Sequence, residues 1–375
     1  MALGGLLMLR KVVRVQVPGK LMVAGEYAVT SRSHQAIVAA VDRYIHLTIT
    51  PARTNVLRMP GWHIPRVTWH RTRAGVSLDN DDPRLRFIQA ALVTALRFAS
   101  EERERIVPMG IVVESGLNDS SGQKYGLGSS AAVTVAIIAG VLGFLLKDDV
   151  AVSSNTIFKL AALSHYLTQN TGSGADVAAS TYGGLVSYET FDSGWLLHQH
   201  ALGLPLKQLM ALHWPGLAIR RLPLSRNIVW RIGWTGVPIA TRSALGLVQR
   251  WGVSHPDLFS QFLRQSDNAV AWVTQGLERS QYSDLKHGIQ LNRNALKTLA
   301  SDSQIEIETD RMARGLQIVQ TVGGTGKSSG AGGGDCIMGW FPHEPPDGTL
   351  IPSWQAWNIQ LLDLHIVPEG VSIKT

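Results

Sequence analysis

The sequence predicts an α+β protein built from two lobes, and three observations support this class. Short strand patterns alternate with helix patterns over the first half of the chain. Four successive helix patterns then fill most of residues 240–320. The 375 residues, 45% of them hydrophobic and 17% charged, are enough for two globular domains. We place the boundary near residue 200, giving lobes 1–200 and 201–375 with a ligand cleft between them.

The first lobe opens with two predicted strands that a Pro-Gly pair separates. Val12–Val17 alternates apolar and polar residues, Pro18-Gly19 interrupts the pattern, and Lys20–Val29 resumes it. Further strands are predicted at Tyr44–Thr50, Val56–Ile64 with a break at Pro60-Gly61, Ile106–Glu114 and Leu185–Tyr188. Helices are predicted at Arg84–Ala99, Val133–Leu146 and Ser154–Thr168.

The second lobe is richer in helix patterns. Its predicted strands are Leu209–Leu212, Leu217–Leu222, Ile228–Trp234 and Cys336–Phe341. Its predicted helices are Ala240–Trp251, Leu258–Leu277, Leu285–Ala300 and Glu308–Gln320. This change in pattern supports the boundary near residue 200.

A glycine- and serine-rich segment is the first candidate ligand site. Gly126–Ala132 runs directly into the apolar helix pattern Val133–Leu146, and unpaired N–H groups at a helix start attract anions. The glycines allow the backbone to approach a ligand closely, and Ser129 and Ser130 supply hydroxyl groups. The segment predicts a phosphate cradle. Taken alone, it also fits a turn that caps a buried helix.

An aspartate follows a run of turn-forming residues in the first lobe. Gln169–Asp176 ends one helix pattern, and Asp176 begins the next apolar stretch, Val177–Ser180. By its position alone, Asp176 fits an ordinary N-cap. A carboxylate that acts in a ligand site is the alternative interpretation.

The densest glycine run, Gly323–Asp335, contains Lys327 and two serines. Gly326-Lys327-Ser328 matches the end of a P-loop, but the first glycine of that motif would fall at Thr321, and glycines rather than a helix follow the lysine. We therefore reject a P-loop. The run predicts a flexible, N–H-rich loop suited to embracing phosphates, with a disordered linker as the alternative.

Composition narrows the classes of partner and compartment. The net charge of +7 favours anionic ligands, but Lys and Arg are scattered, so small phosphorylated molecules fit better than nucleic acid. The single cysteine, Cys336, excludes an intramolecular disulfide, and the twelve histidines show no zinc-binding spacing. We expect a cytoplasmic protein without zinc.

Neither apolar segment of the chain fits a membrane segment. In a signal peptide the positive charges come before the apolar segment, whereas here Arg10 and Lys11 come after Met1–Leu9, and no small-residue cleavage site follows. We therefore interpret this segment as a frayed or mis-started terminus. Val133–Leu146 falls short of the ~20 apolar residues that a bilayer crossing needs. We expect it to be a buried helix and expect no membrane partner.

Three separated motifs coincide with those of one known family: Pro18–Leu21 with Ala24–Tyr27, Lys124–Ser130, and Lys327–Cys336. Intermediate blocks agree at Ala36–Tyr44, Gly172-Ser173 with Asp176, and Gly233–Thr235. On these residues the chain resembles the GHMP kinases, and within them the bacterial phosphomevalonate kinases, from about residue 12 to its end. Ala131-Ala132 departs from the Ser-Gly or Ser-Ala of many members.

The resemblance implies a first lobe like the second domain of ribosomal protein S5 and a second, ferredoxin-like lobe, with ATP and the acceptor meeting between them. It implies phosphoryl transfer from ATP to phosphomevalonate with Mg²⁺, and we expect a homodimer. The alternatives are another small-molecule kinase of the family, such as mevalonate kinase, and a non-catalytic ATP-binding sensor on the same fold.

The resemblance also implies roles for individual residues. Lys20 and Lys124 are expected to neutralise phosphates, and Asp176 is expected to be the active-site aspartate that orients Lys20 or magnesium. The expected ATP contacts are Gly126, Leu127, Gly128, Ser129, Ser130 and Ala131, with Ser130 also on magnesium. The expected acceptor contacts are Ser173, Thr235, Thr241, Lys327, Ser329, Gly330, Ala331 and Gly332.

Overall fold

The structure is a computed structural model of the chain. It describes residues 11–73, 75–119, 121–147, 152–224, 227–236 and 241–375, without the side chains of residues 241–243 and 347. The apolar start of the sequence, Met1–Leu9, therefore lies outside the described residues.

The strands and helices follow one another along the described chain. The strands are β1 (Val13–Ala24), β2 (Gln35–Pro51), β3 (Val56–Arg58), β4 (Val67–Thr72), β5 (Gly75–Leu78), β6 (Met109–Ser115), β7 (Leu185–Glu189), β8 (Ala218–Leu222), β9 (Val229–Trp234), β10 (Thr325–Ser328), β11 (Cys336–Phe341), β12 (Gln360–Leu362) and β13 (Ser372–Lys374). The helices are α1 (Arg86–Glu101), α2 (Ser129–Leu145), α3 (Ser154–Gln169), α4 (Ala175–Tyr182), α5 (Ser193–Ala201), α6 (Leu206–Ala211), α7 (Thr241–Ser254), α8 (Pro256–Glu278), α9 (Tyr282–Ser303), α10 (Asp310–Thr321) and α11 (Asp347–Gln355). Short 3-10 turns lie at Ala28–Thr30 and Pro83–Leu85.

Two sheets organise the part of the chain that the structure describes. Seven strands of the larger, nine-stranded sheet run in the order β13-β1-β2-β6-β3-β4-β5, while β7 pairs with β2 and β8. The smaller sheet has the order β10-β11-β9-β12. Because β8 and β13 come from the second half of the chain and join the larger sheet, that half contributes to both sheets. The domain boundary near residue 200 stays a prediction.

The first strand is continuous, so the predicted break at Pro18-Gly19 is wrong. The β1 strand pairs with β2 on both sides of this dipeptide, and the register shifts between Pro18 and Gly19. At this point β2 carries two extra residues, Asp42 and Arg43, and such a bulge bends the strand pair without ending β1. Lys20 follows on the same strand, and its backbone N–H donates to the carbonyl of Leu127, just before α2, at 2.9 Å.

The predicted strand Leu209–Leu212 is also wrong, because this segment belongs to helix α6. Leu206, Leu209 and Met210 are buried at the i, i+3, i+4 spacing of a helix face. The Lys159 ammonium donates to the carbonyls of Met210 at 2.9 Å and Leu212 at 2.7 Å. These bonds satisfy carbonyls at the helix end, where no backbone partner follows.

Helix α2 forms the centre of the larger core. Almost all of its side chains are buried, and it packs against β1, β2, α1 and α3. A helix that is apolar on every side has to be covered on every side, which fixes its place between the sheet and other helices. The predicted buried helix is thereby confirmed, and its first residues face the cavity described next. Among the described residues, no helix is long and apolar enough to cross a membrane.

Candidate active site

One cavity of about 450 Å³ collects most of the predicted site residues. Its walls come from β1, the turn that follows β1, the first turns of α1, α2 and α4, and the end of α3. The loop after β10 and Leu245 of α7 close the remaining side. Residues from both halves of the sequence therefore line one site.

The predicted cradle lies at the N-terminus of α2, a helix of 17 residues. Gly128 is its N-cap with a φ of 75°, and a Cβ there would lie 2.8 Å from the Lys20 side chain. Gly126 has a φ of 82°, and a Cβ there would lie 2.5 Å from Cγ of Asp335. Both positions therefore require glycine for conformation and for space. The first helical turn of α2 leaves backbone N–H groups without a helical carbonyl partner, and such groups can bind an anion.

Lys20 and Asp176 form an ion pair in this cavity. Lys20 Nζ lies 3.3 Å from Asp176 Oδ1, and the Lys20 backbone N–H donates to Leu127 O at 2.9 Å. Gly174 is the N-cap of α4 and Asp176 lies in the first helical turn, so the N-cap interpretation of Asp176 is wrong. A carboxylate in a first turn is stabilised by the helix dipole. The pair places one positive and one negative group beside the cradle.

Lys124 lies at the rim of the same cavity, just before the cradle. Partial burial lowers the pKa of Lys124, and the positive charge of Arg86 lowers it further, while the carboxylate of Asp335 opposes both effects. The three side chains therefore share one electrostatic environment.

His165 is a cavity residue that the sequence reasoning missed. Its Nε2 lies 3.1 Å from Oγ of Ser130, and its ring stacks on Phe87 with centroids 4.9 Å apart. Burial lowers the pKa of His165 to about 4, and Arg86 lowers it as well, while Asp176 opposes the shift. The imidazole is therefore neutral at pH 7 and bonds the Ser130 hydroxyl as donor or acceptor.

The loop after β10 reaches back to the first strand. Ser329 Oγ accepts from Met22 N at 3.0 Å and donates to Met22 O at 3.1 Å. The Tyr27 hydroxyl donates to Ala331 O at 2.5 Å. Ser329, Gly330 and Ala331 consequently line the cavity.

Lys327 does not lie in a flexible loop, so that part of the prediction is wrong. It belongs to β10, is fully buried, and its ammonium donates to Glu26 and to the carbonyl of Ser328. Burial lowers the pKa of Lys327, whereas Glu26 opposes the shift. The structure places Lys327 behind the cavity wall.

The remaining predicted residues divide between the cavity and its surroundings. Ser173 lines the cavity, and its carbonyl accepts from Tyr188 at 2.6 Å and Thr190 at 2.8 Å. Thr235 is buried outside the cavity, where its N–H and hydroxyl donate to Asp335 O at 2.9 and 3.1 Å. Ala131 and Gly332 also lie away from the cavity wall, and Thr241 begins α7 with its side chain outside the described residues.

Comparisons with known proteins identify related chains. A family model described as the GHMP kinases N terminal domain matches residues 88–184. The chain is 33% identical to phosphomevalonate kinase from Streptomyces sp. (strain CL190), over 96% of this chain and 99% of that protein. It is 24% identical to mevalonate kinase from Aeropyrum pernix, over 98% of this chain and 99% of that one.

A solved structure shares the fold. Streptococcus pneumoniae phosphomevalonate kinase in complex with phosphomevalonate and AMPPNP superposes with a TM-score of 0.81 at 21% identity, over 94% of this chain and 99% of that one. The predicted α+β class and two-lobed kinase fold are thereby confirmed. Together with the similarity to the Streptomyces enzyme over nearly the whole chain, this shows that the chain belongs to the GHMP kinase family.

Proposed function

We propose that the chain is a phosphomevalonate kinase of the mevalonate pathway of isoprenoid biosynthesis. It transfers the γ-phosphoryl group of ATP to the phosphate of 5-phosphomevalonate and releases 5-diphosphomevalonate and ADP. The observation that carries this function is the single cavity that combines the α2 cradle, the Lys20–Asp176 pair and Lys124. The similarity to the Streptomyces enzyme favours a phosphate as the acceptor group.

The cradle binds the ATP phosphates in this proposal. Gly126–Gly128, Ser129 and Ser130 line the cavity where α2 begins. The first N–H groups of this helix and the two serine hydroxyls are the groups that would bind the phosphates. Leu127 and Ala131 contribute backbone and packing rather than side-chain hydrogen bonds. Phosphoryl transfer depends on positioning and on charge neutralisation, which a helix N-terminus supplies.

Lys20 and Lys124 neutralise the two sets of phosphates that meet in the cavity. An anionic acceptor has to approach an anionic donor, so fixed positive charge between them lowers the barrier. Lys20 is buried and held by Asp176, while Lys124 is exposed at the rim. Lys20 therefore acts at a fixed point, and Lys124 meets the incoming acceptor.

Asp176 positions Lys20 rather than acting as a strong base. A phosphate monoester has a second pKa of about 6, so the acceptor is already mostly a dianion at pH 7. Little proton removal is needed. The 3.3 Å contact between Asp176 Oδ1 and Lys20 Nζ supports this positioning role.

Magnesium is part of the proposal, held chiefly by the ATP phosphates. In the described residues no group of three or more His, Cys, Asp or Glu side chains could hold a metal ion by itself. Mg²⁺ commonly takes one or two protein oxygens beside substrate phosphates. Ser130 and Asp176 fit that donor set, because both line the cavity. When bound, the ion would offset the negative charge of the phosphates.

The residues that contact the acceptor are proposed from their positions in and around the cavity. Ser173, Ser329, Gly330 and Ala331 line the same cavity as the cradle, and in this proposal they contact the acceptor. Lys327, Thr235 and Gly332 support that wall from behind, and Thr241 stays a predicted contact. We also propose that the protein is a homodimer and is cytoplasmic. Its two lobes are proposed to meet near residue 200.

The test compares two acceptors in parallel. ADP release with Mg-ATP is measured against phosphomevalonate and against mevalonate. We expect turnover with phosphomevalonate and at least about tenfold lower kcat/KM with mevalonate, because only the first carries the phosphate. Turnover with mevalonate alone would assign a mevalonate kinase. ATP binding without ADP release from either compound would indicate a sensor.

A further inference from the structure

Four cavity residues form a continuous column that runs from the rim to the cradle. The Arg86 guanidinium lies 4.8 Å above the centroid of the Phe87 ring. That ring stacks on His165 with an interplanar angle of 22°, and His165 bonds Ser130 in the cradle. All four side chains line the cavity of the proposed active site. Arg86 is thus held at a defined point on the cavity wall.

Arg86 differs from the other arginines of its chain segment in its electrostatic partners. Arg84 pairs with Asp82 at 2.6 Å, and Arg97 pairs with Glu101 at 3.1 Å. Among the ion pairs of the described residues, none involves Arg86. Its electrostatic neighbours include the cation Lys124, whose pKa it lowers. Asp335 is the carboxylate that faces Lys124 from the opposite loop.

Arg86 and Lys124 are exposed cations, and the positive charge of Arg86 disfavours the charged form of Lys124. An anion bound between the two side chains would relieve this repulsion. A guanidinium matches phosphate oxygens with two parallel hydrogen bonds, and an ammonium adds a point charge. The Phe87 platform restricts the guanidinium before any ligand binds, which reduces the entropy lost on binding. The rim of the cavity is therefore prepared for a phosphate dianion.

We propose that Arg86 and Lys124 together bind the phosphate of the acceptor, which makes Arg86 a specificity-determining residue of the reaction. The inference rests on the proposed function. The Arg86 guanidinium contacts the Phe87 ring, and it is His165 rather than Arg86 that bonds Ser130 in the cradle; on this separation we assign Arg86 to the acceptor side of the cavity. The acceptor phosphate, rather than ATP, is the anion within its reach.

Steady-state kinetics of the full-length protein test this assignment. The variants are Arg86→Gln, Arg86→Lys and Phe87→Leu, and the matched control is Arg97→Gln, which removes the same charge further along α1. KM is measured for phosphomevalonate at saturating Mg-ATP and for ATP at saturating phosphomevalonate. We expect Arg86→Gln to raise the acceptor KM about 10- to 100-fold and to leave the ATP KM within about threefold, because a charge-assisted bidentate contact is lost.

The two other variants separate charge from positioning. Arg86→Lys keeps the positive charge but loses the planar guanidinium that can form two parallel hydrogen bonds. Phe87→Leu keeps the arginine but removes the aromatic ring on which it stacks. Each variant should therefore raise the acceptor KM by less than Arg86→Gln does. Calorimetric titration of phosphomevalonate into each variant without ATP should give the same order of affinities. Thermal unfolding monitored by circular dichroism verifies that each variant folds.

Distinct results would overturn the inference or the function beneath it. If wild type turns over phosphomevalonate while Arg86→Gln matches Arg97→Gln, or raises the ATP KM instead, Arg86 does not bind the acceptor. If wild type neither binds nor turns over phosphomevalonate, the proposed function fails and the inference fails with it.

Discussion

At the scale of single residues, some side chains of the cavity belong to recognisable sequence motifs and others do not. Lys20 and Lys124 stand beside glycine motifs, and the structure brings both to the cradle. His165 and Arg86 lie inside ordinary helix patterns, so nothing in their local sequence marks them. Their roles depend on distances of 3.1 Å to Ser130 and 4.8 Å to the Phe87 ring, which arise only on folding.

Asp176→Asn should lower kcat roughly 100-fold, since removing one group that stabilises transition-state charge commonly has this effect. The asparagine keeps the shape but loses the charge that holds Lys20 Nζ at 3.3 Å. Initial rates under saturating substrates measure the change. Asp310→Asn, the same substitution in the first turn of α10, is the control and should keep wild-type turnover. Near-normal turnover by a correctly folded Asp176→Asn would remove the residue from the mechanism.

At the scale of elements, a partly buried ion pair joins α9 to the segment that precedes α10. Glu308 accepts from Arg293 Nε and Nη2 at 2.7 Å each, and Lys297 lies 3.4 Å away. Burial by itself raises the pKa of Glu308, but the bonds from Arg293 and the charge of Lys297 outweigh it and hold the pKa below its ordinary value. The folded state therefore favours the carboxylate.

Glu308→Gln should lower the free energy of unfolding by about 1.5–3 kcal/mol at neutral pH, since Arg293 loses a charged partner. A lowered folded-state pKa contributes stability that is complete above the unfolded value of about 4.5 and is lost as pH falls through the folded value. The difference between wild type and variant should therefore shrink on acidification. Urea unfolding at several pH values measures it. Glu306→Gln, an exposed neighbour, should show no such difference, and a pH-independent difference for Glu308→Gln would contradict the account.

At the scale of the whole molecule, distant parts of the chain close onto the first strand. The C-terminal strand β13 pairs with β1, and Ser329 bonds both backbone groups of Met22. The buried Lys327–Glu26 pair ties β10 to the turn after β1. These contacts hold the loop after β10 against the cavity and complete its wall.

Lys327→Met should lower the free energy of unfolding by about 3–5 kcal/mol, because it leaves the Glu26 carboxylate buried without its cation. The double variant Lys327→Met/Glu26→Gln should recover part of this loss, since the uncompensated charge is gone. Denaturant unfolding of wild type, both single variants and the double variant gives the coupling between the two residues. Equal stability of wild type and Lys327→Met would show that the pair does not hold the loop.

Long periodic segments were predictable, and short or context-dependent ones were not. The patterns for α2, α3 and α8–α10 identified helices, because an apolar face repeated over several turns has one efficient way to be buried. Leu209–Leu212 was mistaken for a strand, since four residues do not separate the two periods. Pro18-Gly19 was mistaken for a break, because a bulge depends on the partner strand.

The amino-acid sequence by itself determined the α+β class, the buried helix α2 and the glycine cradle at its start, because periodicity and glycine placement act over a few residues. Tertiary structure alone decided that Asp176 faces Lys20 and that Lys327 is buried against Glu26. It also placed Arg86 and His165 in the same cavity. Burial and the choice of a charged partner depend on segments far apart in the chain, and only the packed fold brings those segments together.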